Sequence, residues 1–225
     1  MDRNDKNYKR ILIGKRIAKE LKDGDYVNLG IGLPTEVVNH IPKGVHVVIQ
    51  SENGIIGVGP TPEADDIDEF MVNAGGGYIT GAKGCAFIDS AMSFAIVRGG
   101  HLDMTVLGAL QVDEKGNLAN WWIPGKMVPG MGGAMDLVSG AKQVVIAMEH
   151  CDKDGNPKIL KDCNLPLTAT GKVSLIVTDM AVIKVENHRL RLLEIAEGLT
   201  VEEVQKNTEA KLIIEGEIPF FRVDL

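Results

Sequence analysis

The sequence predicts an α/β fold, a single open α/β/α domain built around a mixed, largely parallel sheet. Residues 26–49 run in the order strand, glycine-containing loop, helix, strand, which is a βαβ unit and places parallel strands side by side. Apolar runs of strand length then recur between segments with helical spacing. The 225 residues suit one large domain, and no internal repeat or low-complexity linker divides them. We therefore expect residues 1–225 to form a single domain.

The first third of the chain supplies the βαβ unit. Apolar residues between positions 8 and 21 recur on one helical face, and Asp23-Gly24 ends this helix. The unit that follows is predicted as a strand at 26–29, a loop at 30–35, a helix through 37–41 and a strand at 45–49.

The middle of the chain continues the alternation with weaker signals. Asp89 can cap a helix that runs to Arg98, because its carboxylate can accept from the first free N–H groups. The other predicted elements are strands at 70–72, 104–110 and 143–148 and a short helix near 136–138.

The last third alternates strand signals at 173–178, 181–185 and 190–193. Thr200 and Glu203 stand at the spacing of a capping box, in which each side chain bonds the other residue's backbone N–H. A final helix is therefore predicted to start after Thr200.

Composition and charge exclude several classes of protein. A formal net charge of −7 argues against a nucleic-acid surface, which needs clustered Lys and Arg. The first six residues are polar, and no apolar run approaches the length of a membrane span. The cysteines, Cys85, Cys151 and Cys163, are odd in number and form no CxxC pair, so we expect reduced thiols and no zinc site. These observations predict a cytoplasmic protein.

Common cofactor motifs are incomplete in this chain. Residues 30–35 begin like the dinucleotide motif GxGxxG, but Thr35 replaces the third glycine, and no phosphate-binding GxxxxGK[ST] loop is present. The donors at 149–152 are adjacent and would point to opposite faces of a strand, so we interpret them as structural and expect no metal. His101 and Asp103 lack a nucleophile nearby in sequence and are also interpreted as structural.

Glu52 is the polar residue that most needs an explanation. It directly follows a buried-type strand, at the end where open α/β sheets bind their ligands. Glutamate is rarely buried unless it is paired or functional. A turn-capping role remains open on this pattern alone. The 26 glycines of the chain, several of them near Glu52, indicate loops in which backbone approaches another group closely.

Six segments occur together in an order that resembles one known family. They are residues 28–35, 50–54 (QSENG), 73–76 (NAGG), 98–101 (RGGH), 118–121 (LANW) and 124–138, which contains GMGGAMD. The chain resembles the β subunit of class I coenzyme A-transferases of the 3-oxoacid type, nearest to the bacterial acetate/acetoacetate and butyrate–acetoacetate enzymes. The likeness extends from about residue 15 to the C-terminal helix.

The resemblance implies a catalytic glutamate at Glu52, which attacks an acyl-CoA thioester and then carries CoA as a glutamyl thioester in a ping-pong reaction. It implies that Gly133 donates a hydrogen bond to the oxyanion and that Asn28 contacts CoA. Further CoA or substrate contacts are expected from Asn53, Gly75, Gly76 and Gly132. Some relatives carry Lys where this chain has Gly76, so a basic CoA contact from that loop is in question.

The resemblance also implies a separate α subunit, with α₂β₂ the expected assembly, and coenzyme A as substrate with no further cofactor. The expected acids are short-chain carboxylates of the acetate, acetoacetate and butyrate type. A longer or dicarboxylic 3-oxoacid such as 3-oxoadipate is an alternative. A non-catalytic small-ligand sensor of similar fold is another, although an intact SENG sequence argues against it.

Overall fold

A computed structural model describes residues 5–125 and 130–222 of the chain. The described residues form fourteen strands: β1 (Tyr26–Leu29), β2 (Val48–Ser51), β3 (Ile55–Val58), β4 (Gly81–Phe87), β5 (Met104–Leu107), β6 (Gln111–Asp113), β7 (Leu118–Ala119), β8 (Gln143–Ala147), β9 (Ile159–Leu160), β10 (Leu175–Val177), β11 (Ala181–Glu186), β12 (Arg189–Ala196), β13 (Leu212–Ile213) and β14 (Phe220–Phe221). Their α-helices are α1 (Lys6–Ala18), α2 (Ser90–Arg98), α3 (Ala134–Gly140) and α4 (Val201–Lys206), and 3₁₀ helices span Leu33–His40 and Ala64–Asp66.

Eleven of these strands form one mixed sheet, which confirms the predicted fold class. Its order is β13-β12-β11-β10-β8-β5-β1-β2-β3-β4, with β14 beside β12. The central run from β10 to β2 is parallel, whereas β10–β11–β12 and β2–β3–β4 pair antiparallel. Strands β7, β6 and β9 form a separate small sheet.

The central strands are buried on both faces, as parallel strands under helices usually are. In β8, Val144 and Ile146 face one apolar cluster, while Val145 and Ala147 face the other. The first cluster includes residues of α2, α3 and α4, and the second includes residues of α1 and of the 3₁₀ helix Leu33–His40. Each fully buried aliphatic side chain contributes about 1.5–3 kcal/mol, so these two layers fix the sheet.

The helix caps predicted at Asp89 and Thr200 both form, and Asp5 provides a further cap that was not predicted. The Asp5 carboxylate accepts from the backbone N–H groups of Asn7 and Tyr8, and that of Asp89 accepts from Met92 N. Thr200 and Glu203 form the reciprocal capping box at the start of α4. The predicted strands at 26–29 and 143–148 also appear within a residue of their expected bounds.

Four predictions need correction. The strand predicted at 104–110 is Met104–Leu107, because its pairing with β8 ends where Leu107 meets Ile146. The strand predicted at 45–49 is Val48–Ser51, because pairing with β1 starts only where Tyr26 meets Val48. The predicted helix through 37–41 is a 3₁₀ helix, Leu33–His40. No strand forms at 70–72: Val72 makes an isolated bridge to Tyr78, because the chain reverses between them in a tight loop.

The direction of the parallel strands brings the loops after β1, β2 and β5 to one edge of the sheet. Glu52 directly follows β2, and residues 30–32 directly follow β1. This is the edge at which open α/β sheets bind ligands. In the described part of the chain, no helix is long and apolar enough to cross a membrane.

Candidate active site

Glu52 lies at the start of a tight turn between β2 and β3. Gly54 N donates to Ser51 O at 3.0 Å, and Gly54 O accepts from Ile88 N at 2.9 Å. Gly54 has φ of +127°, and a Cβ at this position would overlap the carbonyl oxygen of Ile88. Glycine is therefore required here, and the turn holds Glu52 at the end of its strand.

The Glu52 carboxylate is half-buried and is held by a neutral donor. Asn28 Nδ2 donates to Glu52 Oε2 at 3.1 Å. Asn28 lies in the neighbouring parallel strand β1, fully buried, with its backbone in register with Gln50. The adjacent strands thus bring together Glu52 and Asn28, two residues that the sequence predicted for the site.

Gly133 lies near Glu52, at the N-terminal end of α3. A Cβ on Gly133 would stand 3.3 Å from Glu52 Cγ and 3.2 Å from Phe94 Cε1. Any larger residue would crowd the glutamate, so glycine permits this close approach. Gly132 is exposed in the preceding turn. Residues 126–129, within the predicted segment 124–138, lie outside the described residues.

The loop at 73–77 is tied to the turn that carries Glu52. Ser51 Oγ accepts from Ala74 N at 2.9 Å, and Asn53 Nδ2 donates to Val72 O at 2.8 Å. Within the loop, Asn73 Oδ1 accepts from two glycine N–H groups. The structure therefore gives the Asn53 amide a bond that supports the loop, while Gly76 is exposed at its tip.

A cavity of about 420 Å³ opens beside Glu52. Of the predicted residues, Glu52 and Gly75 line it, and Asn28 lies beneath Glu52. Its other walls are mostly aliphatic or uncharged, and they include Ile31, Thr35, Val38, Asn39, Ile49, Gln50, Ser51, Val58, Pro60, Thr61 and Ile79. Sequence reasoning missed these wall residues; for Gln50 and Ser51, their position directly before Glu52 was the available signal.

A second cavity, of about 300 Å³, lies beside α1 and the ends of β8 and β10. Three of its charged groups are paired with one another: Lys9 Nζ bonds Glu149 at 2.9 Å and Asp179 at 3.1 Å. Among the described residues, no group of three or more His, Cys, Asp and Glu could hold a metal ion. The three cysteines are not joined in disulfides.

His150 and Asp103, from the two histidine motifs that the sequence singled out, have hydrogen-bond partners within the fold. His150 is fully buried, and its ring nitrogens lie 2.8 Å from Thr178 Oγ1 and 2.9 Å from Thr208 Oγ1. Asp103 bonds Lys142 Nζ at 2.7 Å and accepts from Tyr26 N. The Lys142 ammonium and that backbone donor lower the pKa of Asp103.

Burial of His150 predicts a loss of stability in acid. Desolvation lowers the pKa of His150 from 6.5 to about 4. The charge of Asp179 has a smaller effect that raises this pKa, and the charge of Lys158 has a still smaller one that lowers it. Below pH 6.5 the unfolded chain binds a proton that the folded chain excludes. The free energy of unfolding should therefore fall between about pH 6.5 and pH 4, by at most about 3 kcal/mol.

Urea unfolding at about pH 7 and about pH 4.5 measures this loss. His150→Gln should remove much of the difference between the two pH values, whereas His101→Gln, at an exposed position, should leave it unchanged. An equal acid loss in His150→Gln would show that other groups cause it.

Comparison with known proteins places this chain in a family. The Coenzyme A transferase family model matches residues 11–207. The chain is 54% identical over 213 residues to the beta subunit of an acetate CoA-transferase of Escherichia coli K12, covering 95% of this chain and 97% of that one. It is 52% identical over 204 residues to one subunit of a probable succinyl-CoA:3-ketoacid coenzyme A transferase of Bacillus subtilis, covering 91% and 94%.

A solved structure shows the same fold. The acyl-CoA transferase YdiF from Escherichia coli O157:H7 superposes with a TM-score of 0.78 at 21% identity. The match covers 100% of this chain but 45% of the YdiF chain, so this chain spans less than half of that protein. The family model and the two relatives, each matched over nearly the whole sequence, show that the chain belongs to the coenzyme A transferase family.

Proposed function

We propose that this chain is the catalytic subunit of an enzyme that moves CoA between an acyl-CoA and a short-chain carboxylate by a covalent route through Glu52. The observation that carries the proposal is the position of the Glu52 carboxylate. It stands in the wall of a cavity whose other lining side chains are uncharged, it accepts from Asn28 Nδ2, and Gly133 lies near its Cγ. A carboxylate exposed to such a cavity can react with an acyl group without a general base.

The proposed chemistry proceeds in two substitutions. A Glu52 oxygen attacks the thioester carbonyl, and the C–S bond breaks to give an acyl–glutamyl anhydride and CoA thiolate. The thiolate then attacks Glu52 Cδ, and the bond between Cδ and the bridging oxygen breaks, so that this oxygen leaves with the acyl group. This releases the first carboxylate and leaves a glutamyl-CoA thioester. An acceptor carboxylate enters, and the same steps run in reverse.

Each substitution passes through an oxyanion that needs hydrogen-bond donors. Asn28 Nδ2 already donates to Glu52 Oε2, so this amide can stay bonded to that oxygen as charge moves through the carboxyl group. A Cβ on Gly133 would stand 3.3 Å from Glu52 Cγ, so the Gly133 backbone is near the carboxylate, and we assign its N–H the second donor role. Preorganised donors of this kind are worth about 2.7–4 kcal/mol each in related chemistry.

The names of the relatives support a second, different subunit as the partner of this chain. Both bacterial relatives are named as a single subunit of a transferase, so we propose a separate α subunit and an α₂β₂ assembly. Coenzyme A enters as substrate, and we propose no further cofactor. The site of this chain then needs the partner for full activity.

Reconstitution tests this function. The chain is mixed with its α subunit, and initial rates are measured with acetoacetyl-CoA and acetate varied together. Parallel double-reciprocal plots, with little or no activity from each chain on its own, are the expected result. Intersecting plots would point to direct transfer within a ternary complex and would contradict the covalent route.

The aliphatic residues in the cavity wall predict how activity depends on the carbon-chain length of the acceptor acid. Val38 lines it from the 3₁₀ helix Leu33–His40 and is 36% exposed, so a larger residue can fill the space without disturbing the core. Val38→Phe should lower kcat/KM for butyrate about 10-fold or more while changing that for acetate less than about threefold, because each methylene in such a pocket is worth about 1–3 kcal/mol.

Val48→Phe is the matched control for acid length, because Val48 is 41% exposed on β2 and is not among the residues that line the cavity. Acceptor profiling of both variants with acetate, butyrate and 3-oxoadipate gives the comparison. Equal losses for acetate and butyrate in Val38→Phe would place the acyl chain elsewhere.

A further inference from the structure

A chain of buried amides and hydroxyls runs beneath Glu52. Asn28, Gln50, Ser93 and Thr105 come from β1, β2, α2 and β5, and each is at most 1% exposed. Buried polar groups cost about 1–3 kcal/mol when they lack a hydrogen-bond partner. These four side chains form one hydrogen-bond network, and removing any member leaves a neighbouring buried polar group without a partner.

The Glu52 carboxylate determines which group donates and which accepts in the hydrogen bonds of Asn28 and Gln50. Asn28 Nδ2 faces the Glu52 carboxylate at 3.1 Å and the main-chain carbonyl of Gln50 at 3.2 Å, and both of these groups can only accept. The same nitrogen donates to Gln50 Oε1 at 2.9 Å, which turns Gln50 Nε2 away from Asn28.

Ser93 completes the network from the neighbouring helix. Gln50 Nε2 donates to Ser93 Oγ at 2.8 Å, and a longer contact of 3.5 Å joins Thr105 Oγ1 to Asn28 Oδ1. If Ser93 could not accept, the Gln50 amide would bury a free N–H group. Rotating that amide to find a new acceptor would set its NH₂ against the NH₂ of Asn28.

We propose that Gln50 and Ser93 are positioning residues, which fix the Asn28 amide and through it the direction of the Glu52 carboxylate. The proposal rests on the proposed role of Glu52 as nucleophile and adds how that nucleophile is aimed. Three successive hydrogen bonds connect Ser93 to the Glu52 carboxylate, and Ser93 lies on a helix that is not among the walls of the cavity.

The expected signature is a loss in kcat with little change in KM. Displacing a nucleophile by about 1 Å can cost about 100-fold in rate, so Ser93→Ala and Gln50→Met should each lower kcat of the reconstituted complex about 10- to 100-fold. KM for the acyl-CoA should change less than about threefold. Ser93→Ala should leave α2 intact, since alanine favours helix more than serine does.

A double-mutant cycle with Asn28→Ala separates aiming from general structural support. In that background, Ser93→Ala should cost less than about twofold more, because the amide through which it acts is gone. Ser174→Ala is the matched control, because the Ser174 hydroxyl bonds the Val144 backbone at the N-terminal ends of β8 and β10, whereas Glu52 follows the C-terminal end of β2. This variant should keep wild-type kcat.

Additive losses in the cycle, or an unchanged kcat in both Ser93→Ala and Gln50→Met, would overturn the positioning role. If Gln50→Met does not fold, Ser93→Ala alone decides, because it removes a single oxygen. Glu52→Gln in the same assay keeps the two ideas apart. Activity in Glu52→Gln refutes the nucleophile itself, whereas an inactive Glu52→Gln with additive losses in the cycle refutes only the positioning role.

Discussion

Glu52→Gln should lower CoA transfer by the reconstituted complex at least about 10⁴-fold, since loss of a covalent nucleophile commonly costs that much or more. Glutamine has the same shape as glutamate, but its neutral amide cannot form the anhydride. Its side-chain oxygen can still accept the bond that Asn28 Nδ2 gives to Glu52 Oε2. The variant should therefore fold, with a free energy of unfolding within about 1 kcal/mol of the wild type.

The control for this variant is Glu63→Gln, which makes the same chemical change at an exposed position outside the cavity walls. It should retain wild-type turnover. Residual ping-pong turnover in Glu52→Gln, at more than trace level, would show that another group carries the acyl intermediate.

Gly54→Ala should destabilise the chain more than other glycine substitutions at positive φ. The added Cβ would overlap the Ile88 carbonyl oxygen, and φ of +127° disfavours any side chain. Neither effect can relax easily, because Gly54 N and Gly54 O are both bonded within the turn. We expect a loss of about 2–4 kcal/mol in the free energy of unfolding.

Gly24→Ala provides the comparison, because Gly24 has φ of +87° but a Cβ there meets nothing within 4 Å. That variant should lose only about 1 kcal/mol, the cost of backbone strain alone. Chemical denaturation of both variants measures the difference. Equal losses would show that the contact with Ile88 contributes nothing and that the turn adapts.

The parts of the fold that were predicted depend on neighbours in sequence. The βαβ unit, the caps at Asp89 and Thr200 and the buried strand β8 each follow from periodicity or from a residue three positions away. Strand β4, by contrast, was missed. It is an exposed edge strand with little alternation of apolar and polar residues, so its pairing with β3 left no local signal.

The candidate site also has parts that the sequence predicts and parts that depend on contacts between distant residues. The position of Glu52 after a buried strand was legible in sequence, and the family resemblance supplied its expected role. The bond from Gln50 to Ser93 joins residues 43 apart, and it exists only because α2 packs beside β2. Asn53 has a role that the sequence did not indicate: its amide donates to Val72 O and so supports the loop at 73–77, while its expected contact with substrate stays a prediction.

Covalent capture of CoA on Glu52 is the most direct test of the proposed mechanism. The reconstituted complex is incubated with acetoacetyl-CoA, the free acid is removed, and the chain is digested and mapped by mass spectrometry. We expect a peptide containing Glu52 with added mass equal to CoA less one water, and conversion of that peptide to a hydroxamate by hydroxylamine. An unmodified Glu52 in a complex that turns over, or an adduct on any other residue, would contradict the covalent route.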